Sequence, residues 1–138
     1  MKMTQKHINE LTYKIIGAAI EVHRNLGPGL WEKVYEKCLT KELIDMGFKV
    51  DFQKTIPINY KGIDLECELR YDIMLNNTII VEIKSVDAIH PLFEAQLLTY
   101  MKLYKKPKGI LINFNVTNIF KEGQKTLVNE YFKKLPTE

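Results

Sequence analysis

The sequence predicts a single α/β domain in which a mixed central β-sheet is flanked by helices. Three observations carry this expectation. Apolar residues recur at helical spacing through the first third of the chain, and the period changes to two from Phe48 onward. A further helical stretch then leads into a continuous apolar run, Ile110 to Phe114, as a crossover into a buried parallel strand would. With 138 residues the chain is expected to form one domain over 1–138, with 118–138 its least regular part.

Twenty Lys and Arg against seventeen Asp and Glu leave a formal charge of +3. That balance permits attraction to nucleic acid but is too small and too dispersed to indicate it. Cys38 and Cys67 sit on different elements without metal-ligand spacing, so both are expected as reduced thiols. The N-terminus lacks the apolar stretch of a secretion signal and no apolar run approaches the length of a membrane span, so a cytoplasmic protein with no membrane partner is expected. No glycine-rich phosphate loop, internal repeat or low-complexity segment is present.

From Thr4 to Leu26, the residues Ile8, Leu11, Ile15, Ala19, Val22 and Leu26 form one amphipathic stripe, with Gly27 as the C-cap and His23 at the edge of the stripe. Pro28-Gly29 turns the chain. A second helix is expected from Leu30 to Met46, stopped by Gly47, with Leu30, Trp31, Val34, Tyr35, Cys38, Leu39 and Met46 as its apolar face. Glu42 falls within that face and implies a buried partner. Glu32 and Glu36, one turn apart, read either as a solvated flank beside Lys33 and Lys37 or as functional carboxylates. Phe48 to Phe52, Ile56 to Tyr60 and Ile63 to Leu69 alternate as strands of a meander, with Pro57 marking an edge. His90-Pro91 precedes a helix from Leu92 to Tyr104 that carries Gln96 and Tyr100 on one face, and His90 reads as a loop residue. After Ile110–Phe114, one more strand is expected within 118–128 and a short helix or tail from Asn129 to Leu135.

The chemistry concentrates between Arg70 and Lys84. Tyr71 to Leu75 and Thr78 to Lys84 flank Asn76-Asn77, a pair that tolerates the positive φ of a tight turn, so the stretch reads as a β-hairpin at the centre of the sheet. Alternation places Glu82 and Lys84 on one face of the second strand. A two-residue turn would set Asp72 opposite Val81. A three-residue loop or bulge sets it opposite Glu82, and this is the expected register. Two carboxylates so placed, about 5 Å apart, oppose each other by roughly 0.2 to 1 kcal/mol. Lys84 could compensate as a purely structural ion pair. Alternatively, Asp72, Glu82 and a strand carbonyl, that of Ile83, form the all-oxygen set that suits Mg²⁺, with Lys84 holding a water or stabilising charge on phosphorus.

Asp72 followed by Glu82-Ile83-Lys84 resembles the Asp … Glu-x-Lys signature of the PD-(D/E)xK nuclease superfamily. Gly29-Leu30-Trp31-Glu32-Lys33-Val34-Tyr35 resembles the motif of the GxxExxY family, a small bacterial and archaeal branch of it. The likeness runs from about His23 to Asn115 and implies a restriction-endonuclease-like core. It also adds residues by analogy with RecB-like nucleases. His23 matches an upstream histidine that approaches the carboxylates, and Glu36 lies eleven residues ahead of Gly47-Phe48, as a helix glutamate does in relatives. Gln96-Leu97-Leu98-Thr99-Tyr100 matches a Gln-x-x-x-Tyr motif. The implied function is divalent-metal-dependent hydrolysis of nucleic acid, DNA before RNA, with Mg²⁺ or Mn²⁺ held by Asp72, Glu82 and the Ile83 carbonyl. His23, Glu32 and Glu36 are further candidate ligands, and Gln96 and Tyr100 line the site. A homodimer would suit a domain this small. The alternative is a non-catalytic nucleic-acid-binding or accessory protein that keeps the fold.

Overall fold

The first helix, in a computed structural model that describes residues 3–52, 58–65 and 70–138, follows the expected stripe closely. Helix α1 (Gln5–Leu26) opens at Thr4, whose Oγ1 accepts the His7 N–H at 3.0 Å, and closes at Gly27. The N–H groups of Gln5 and Lys6 donate to the carbonyls of Pro136 and Thr137, so the chain's last residues satisfy donors that the helix itself leaves open.

Helix α2 (Glu32–Asp45) buries Tyr35, Glu36, Leu39 and Leu43. This stripe is narrower than the expected face. Leu30 and Trp31 lie in the turn ahead of the helix, and both are exposed, as are Val34 and Met46, while Cys38 is half-buried. A helix lying against a sheet buries mainly the i, i+4, i+8 series, and Tyr35, Leu39 and Leu43 are that series. Glu42 lies beside it, half-buried in a groove between α1 and α2 with Lys37 and Lys41. The buried partner expected for it is replaced by a partly solvated position next to the Lys41 charge.

Among the described residues seven strands follow: β1 (Val50–Phe52), β2 (Ile58–Tyr60), β3 (Ile63–Leu65), β4 (Ile73–Leu75), β5 (Ile79–Lys84), β6 (Lys108–Asn113) and β7 (Gln124–Val128). Five of them form one mixed sheet in the order β1-β4-β5-β6-β7, in which only β5 and β6 run parallel. The expected meander is therefore corrected. One edge of β4 is taken by β5 and the other by β1, and among the described residues β2 and β3 pair only with each other, around Lys61-Gly62 at φ 49° and 87°. Ile56, Pro57, Cys67 and Leu69, which were expected within these strands, lie outside the described residues.

Period two now assigns the faces. Ile79, Val81 and Ile83 of β5, with Ile73, Leu75, Ile110 and Ile112, meet α1 and α2. Met74, Ile80 and Leu111 turn the other way and meet Leu97, Tyr100 and Met101 of α3 (Pro91–Tyr104). A Cβ on Gly109 would come within 2.6 Å of Met101 Sδ and 2.9 Å of Leu97 Cγ, so α3 lies as close to β6 as a missing side chain permits. The strand expected within 118–128 is shorter than that range. Ile119–Gly123 forms a π-helical turn, capped by the Asn118 side chain on the Lys121 N–H, before β7 begins. A short helix, α4 (Glu130–Lys133), ends the fold.

Candidate active site

The site is set by one extra residue in a turn. Asn76 and Asn77 both adopt positive φ, 49° and 54°, and the Thr78 N–H donates to the Leu75 carbonyl at 2.9 Å. Leu75 nevertheless pairs with Ile79, Met74 with Ile80 and Ile73 with Val81. This is the register of the three-residue loop. Continued one step, it brings Asp72 to Glu82.

At that step the chain bends and side chains take over from the ladder. The Asp72 N–H donates to Glu82 Oε1 at 3.1 Å, and the Ile83 N–H donates to Asp72 Oδ2 at 2.8 Å. Because Ile83 packs toward α1 and α2, Glu82 projects toward α3, where Tyr100 waits. Glu82 is only 8% exposed. Burial, and then the charge of Asp72, push its carboxyl up to about 9. The Asp72 carboxyl is raised as well, by burial first, against the opposing pull of the Ile83 N–H, with Glu36 adding to the rise. Two backbone N–H groups thus tie the carboxylates together, that of Asp72 to Glu82 and that of Ile83, next to Glu82, to Asp72. Both carboxyls are thus shifted toward the protonated form, chiefly by burial.

Lys84 lowers both carboxyl pKa values from nearby, yet its Nζ lies 4.3 Å from the centroid of the Phe93 ring. Among the described residues no ion pair within 4 Å joins Lys84 to Glu82 or Asp72, which removes the reading of Glu82 and Lys84 as a structural ion pair. Tyr100 is buried. Its phenol is pushed up by burial first and then by Glu82 and Asp72, so it meets the carboxylates as a neutral hydroxyl.

The other candidates are placed less centrally. Glu36 is buried, with Oε2 at 3.3 Å from Lys33 Nζ, and its charge reaches Asp72. Glu32 accepts the Ser85 N–H at 3.4 Å, and the Ser85 hydroxyl donates to the Leu30 carbonyl at 2.6 Å, tying the start of α2 to the end of β5. His23 packs at 6.5 Å, ring to ring, against Phe114, with Nε2 at 2.8 Å from the Val116 carbonyl oxygen. A carbonyl only accepts, so Nε2 carries a proton and is closed to a metal. Gln96 is exposed, and among the described residues no hydrogen bond joins its amide to Lys84 or to either carboxylate. Among the described residues no three His, Cys, Asp or Glu side chains gather into a ready-made metal cluster. His23, Glu32 and Glu36 are thus not assembled with Asp72 and Glu82, because each is engaged by a neighbour of its own. His90 caps α3 through Nδ1, which accepts the Leu92 N–H, as a loop residue would.

Two contributors had no signal in the sequence, and a third had a signal that did not reveal its bonds. Phe93 cradles Lys84. Asn113, buried at the end of β6, holds both the N–H and the carbonyl of Val86 and so pins the loop that follows Lys84. Tyr35 carries part of a motif, but its bonds became visible only in three dimensions. Its hydroxyl donates to the Gly27 carbonyl at 2.6 Å and accepts the Leu30 N–H at 3.1 Å, while its ring stacks on Phe114 at 4.4 Å.

A carboxylate pair followed by lysine thus lies on the central hairpin of a mixed sheet, with a tyrosine facing it from the crossover helix. The chain belongs to the PD-(D/E)XK nuclease superfamily, whose family model matches residues 9–127. No curated protein and no solved structure matches it. Members of this superfamily generally use divalent metals. The donor set here fits one: two hard carboxylate oxygen donors, held close together by backbone N–H groups and, among the described residues, with no lysine in salt-bridge contact, would accept a dication. No helix among the described residues is long and apolar enough to cross a membrane.

Proposed function

We propose that the chain hydrolyses phosphodiester bonds of nucleic acid, with DNA as the first substrate to test, and that Asp72 and Glu82 hold Mg²⁺ or Mn²⁺. The carboxylate pair, tied together by the Asp72 and Ile83 N–H groups beside Lys84 and Tyr100 with Glu82 buried, is the observation that carries this reading. Apolar packing alone gives no reason to place two acids together in a dry notch, and the arrangement opposes folding unless a cation uses it. The Ile83 carbonyl, and the Glu36 carboxylate whose charge acts on Asp72, are the candidates to support the oxygen set once a cation is bound. When bound, the metal supplies Lewis-acid polarisation of the scissile phosphate and a water of lowered pKa. Lys84, resting on Phe93, can extend toward the phosphate and stabilise charge as it builds on the non-bridging oxygens. Tyr100 offers a neutral O–H to a carboxylate, a water or a phosphate oxygen, and Gln96 reaches the same space only from the helix surface.

Cleavage of single-stranded, duplex and branched DNA with Mn²⁺, Mg²⁺ and EDTA tests the proposal. The expected result is divalent-dependent product with the wild type, at least about 100-fold less with Glu82→Gln or Asp72→Asn, and loss of cleavage with Mn²⁺ binding retained in Lys84→Ala. Equal cleavage by the wild type and Glu82→Gln would refute it. Cutting both strands of a duplex calls for two such sites, so pairing of two chains belongs to the proposal and is read by sedimentation with and without DNA.

A further inference from the structure

The most exposed large apolar side chain among the described residues stands at the edge of the site. Trp31 is 83% exposed. It occupies the N-cap of α2, a position that favours a small oxygen-bearing side chain, and it makes no side-chain capping bond there. Neither the packing of the fold nor the capping of its own helix accounts for this indole.

Its backbone is held firmly. Leu30, just before it, offers its carbonyl to the Ser85 hydroxyl and its N–H to the Tyr35 hydroxyl, and Glu32, just after it, accepts the Ser85 N–H. Ser85 directly follows Lys84. Both neighbours of Trp31 are thus tied to the residue next to the proposed catalytic lysine, and the Trp31 carbonyl accepts the Val34 N–H at the first turn of the helix. Lys33, largely exposed, adds a cation two residues away.

We infer that Trp31 is a stacking platform for an unpaired base of the nucleic acid next to the phosphodiester bond being cut. The inference rests on the nuclease reading for the nucleic-acid ligand and for the placing of that bond. An exposed indole fixed beside phosphate chemistry, with a lysine near it, is the pattern by which proteins hold single strands without reading sequence. Bases within a duplex have both faces occupied, so this platform selects single-stranded, frayed or flapped substrate. A Trp→Ala change at such a stack weakens binding roughly 5- to 150-fold, the equivalent of about 1–3 kcal/mol.

Trp31 is the chain's only tryptophan, so its fluorescence reports the contact directly. The wild type in EDTA is titrated with a 20-nucleotide poly-dT strand, the matching poly-rU strand and a blunt 20-base-pair duplex. Saturable quenching by a single strand, with little by the duplex, is expected, and comparison of the two strands distinguishes DNA from RNA. Anisotropy of a labelled strand should show the 5- to 150-fold loss in Trp31→Ala and recovery in Trp31→Phe, with circular dichroism unchanged because the side chain is exposed. Quenching as strong with duplex as with both strands, or unchanged single-strand affinity in Trp31→Ala, overturns the inference. Failure of the nuclease reading would show separately, as quenching without any divalent-dependent cleavage.

Discussion

Replacing Glu82 by glutamine should stabilise the metal-free protein, increasingly so as the pH rises. Glutamine has the shape of a protonated glutamate, and its Oε1 can still accept the Asp72 N–H. In the folded chain the Glu82 carboxyl titrates at about 9, against an ordinary 4.5. A carboxyl whose pKa is raised by folding binds its proton more tightly in the native state, so unfolding releases that proton and rising pH favours the unfolded chain. Its contribution to stability is intact below about pH 4.5 and is lost progressively between 4.5 and 9. At pH 7 the gap from the unfolded value is roughly 2.5 pH units, or about 3 kcal/mol, and at pH 5 it is under about 1 kcal/mol. Relative to wild type, Glu82→Gln should therefore gain about 2 to 3 kcal/mol between pH 5 and pH 7, several degrees in Tm for a chain of this size. Urea unfolding in EDTA at pH 5, 6, 7 and 8 measures it. With Mn²⁺ present the order should reverse, because the wild type gains binding energy that the variant cannot. Parallel pH profiles for the two proteins in EDTA would show that Glu82 is not held protonated, and the account of the site would fail with them.

Three further outcomes test the frame around the carboxylates. Tyr35→Phe keeps the ring on Phe114 but removes the hydroxyl that bridges Gly27 and Leu30, and urea unfolding should show a loss of about 1–2 kcal/mol. Gly109→Ala drives a methyl into Met101 and Leu97, so α3 must shift, with an expected loss of about 1–3 kcal/mol in the same measurement. Lys84→Met removes a charge that lowers both carboxyl pKa values, so protons compete better for the pair, and Mn²⁺ binding followed by calorimetry should have its pH midpoint moved upward.

The parts of this structure that were legible in the sequence are those where one physical rule acted alone. The stripe of α1 and the apolar run of β6 are decided by burial, and both formed close to where their periodicities put them. The hairpin register could be reasoned out because burial of Ile79, Val81 and Ile83 on one face leaves Glu82 on the other, and only the longer loop then brings Asp72 to it. Where two partners competed for one edge the reading failed. Nothing in the alternation of 48–69 says that β1 will reach over β2 and β3 to β4, a choice fixed by mutual bonds between Lys49 and Asn76 across twenty-seven residues. The breadth of α2 was overread for a related reason, since hydrophobicity alone cannot tell a side chain that packs from one, such as Trp31, that is left facing water.

The same distinction explains why the GxxExxY-like segment belongs to the site although none of its side chains has been placed on the carboxylates. Gly29 lies at φ 93°, a conformation an L side chain rarely adopts, and this directs the turn so that Leu30 meets both Tyr35 and Ser85. Glu32 then fastens Ser85 by its N–H, and Tyr35 fastens the turn to Phe114, whose own N–H donates to the Lys84 carbonyl. Three of these contacts, those of Leu30 and Glu32 with Ser85 and that of the Phe114 N–H with the Lys84 carbonyl, end on Lys84 or the residue after it. A lysine on a four-carbon stem is useful to a developing charge only if its Cα is fixed, because the entropy of ordering the stem already opposes the contact. The segment supplies that fixity from the far side of the sheet, while Phe93 and Asn113 supply it from the near side. The spacing of the motif thus serves to clamp the strand end that carries Lys84.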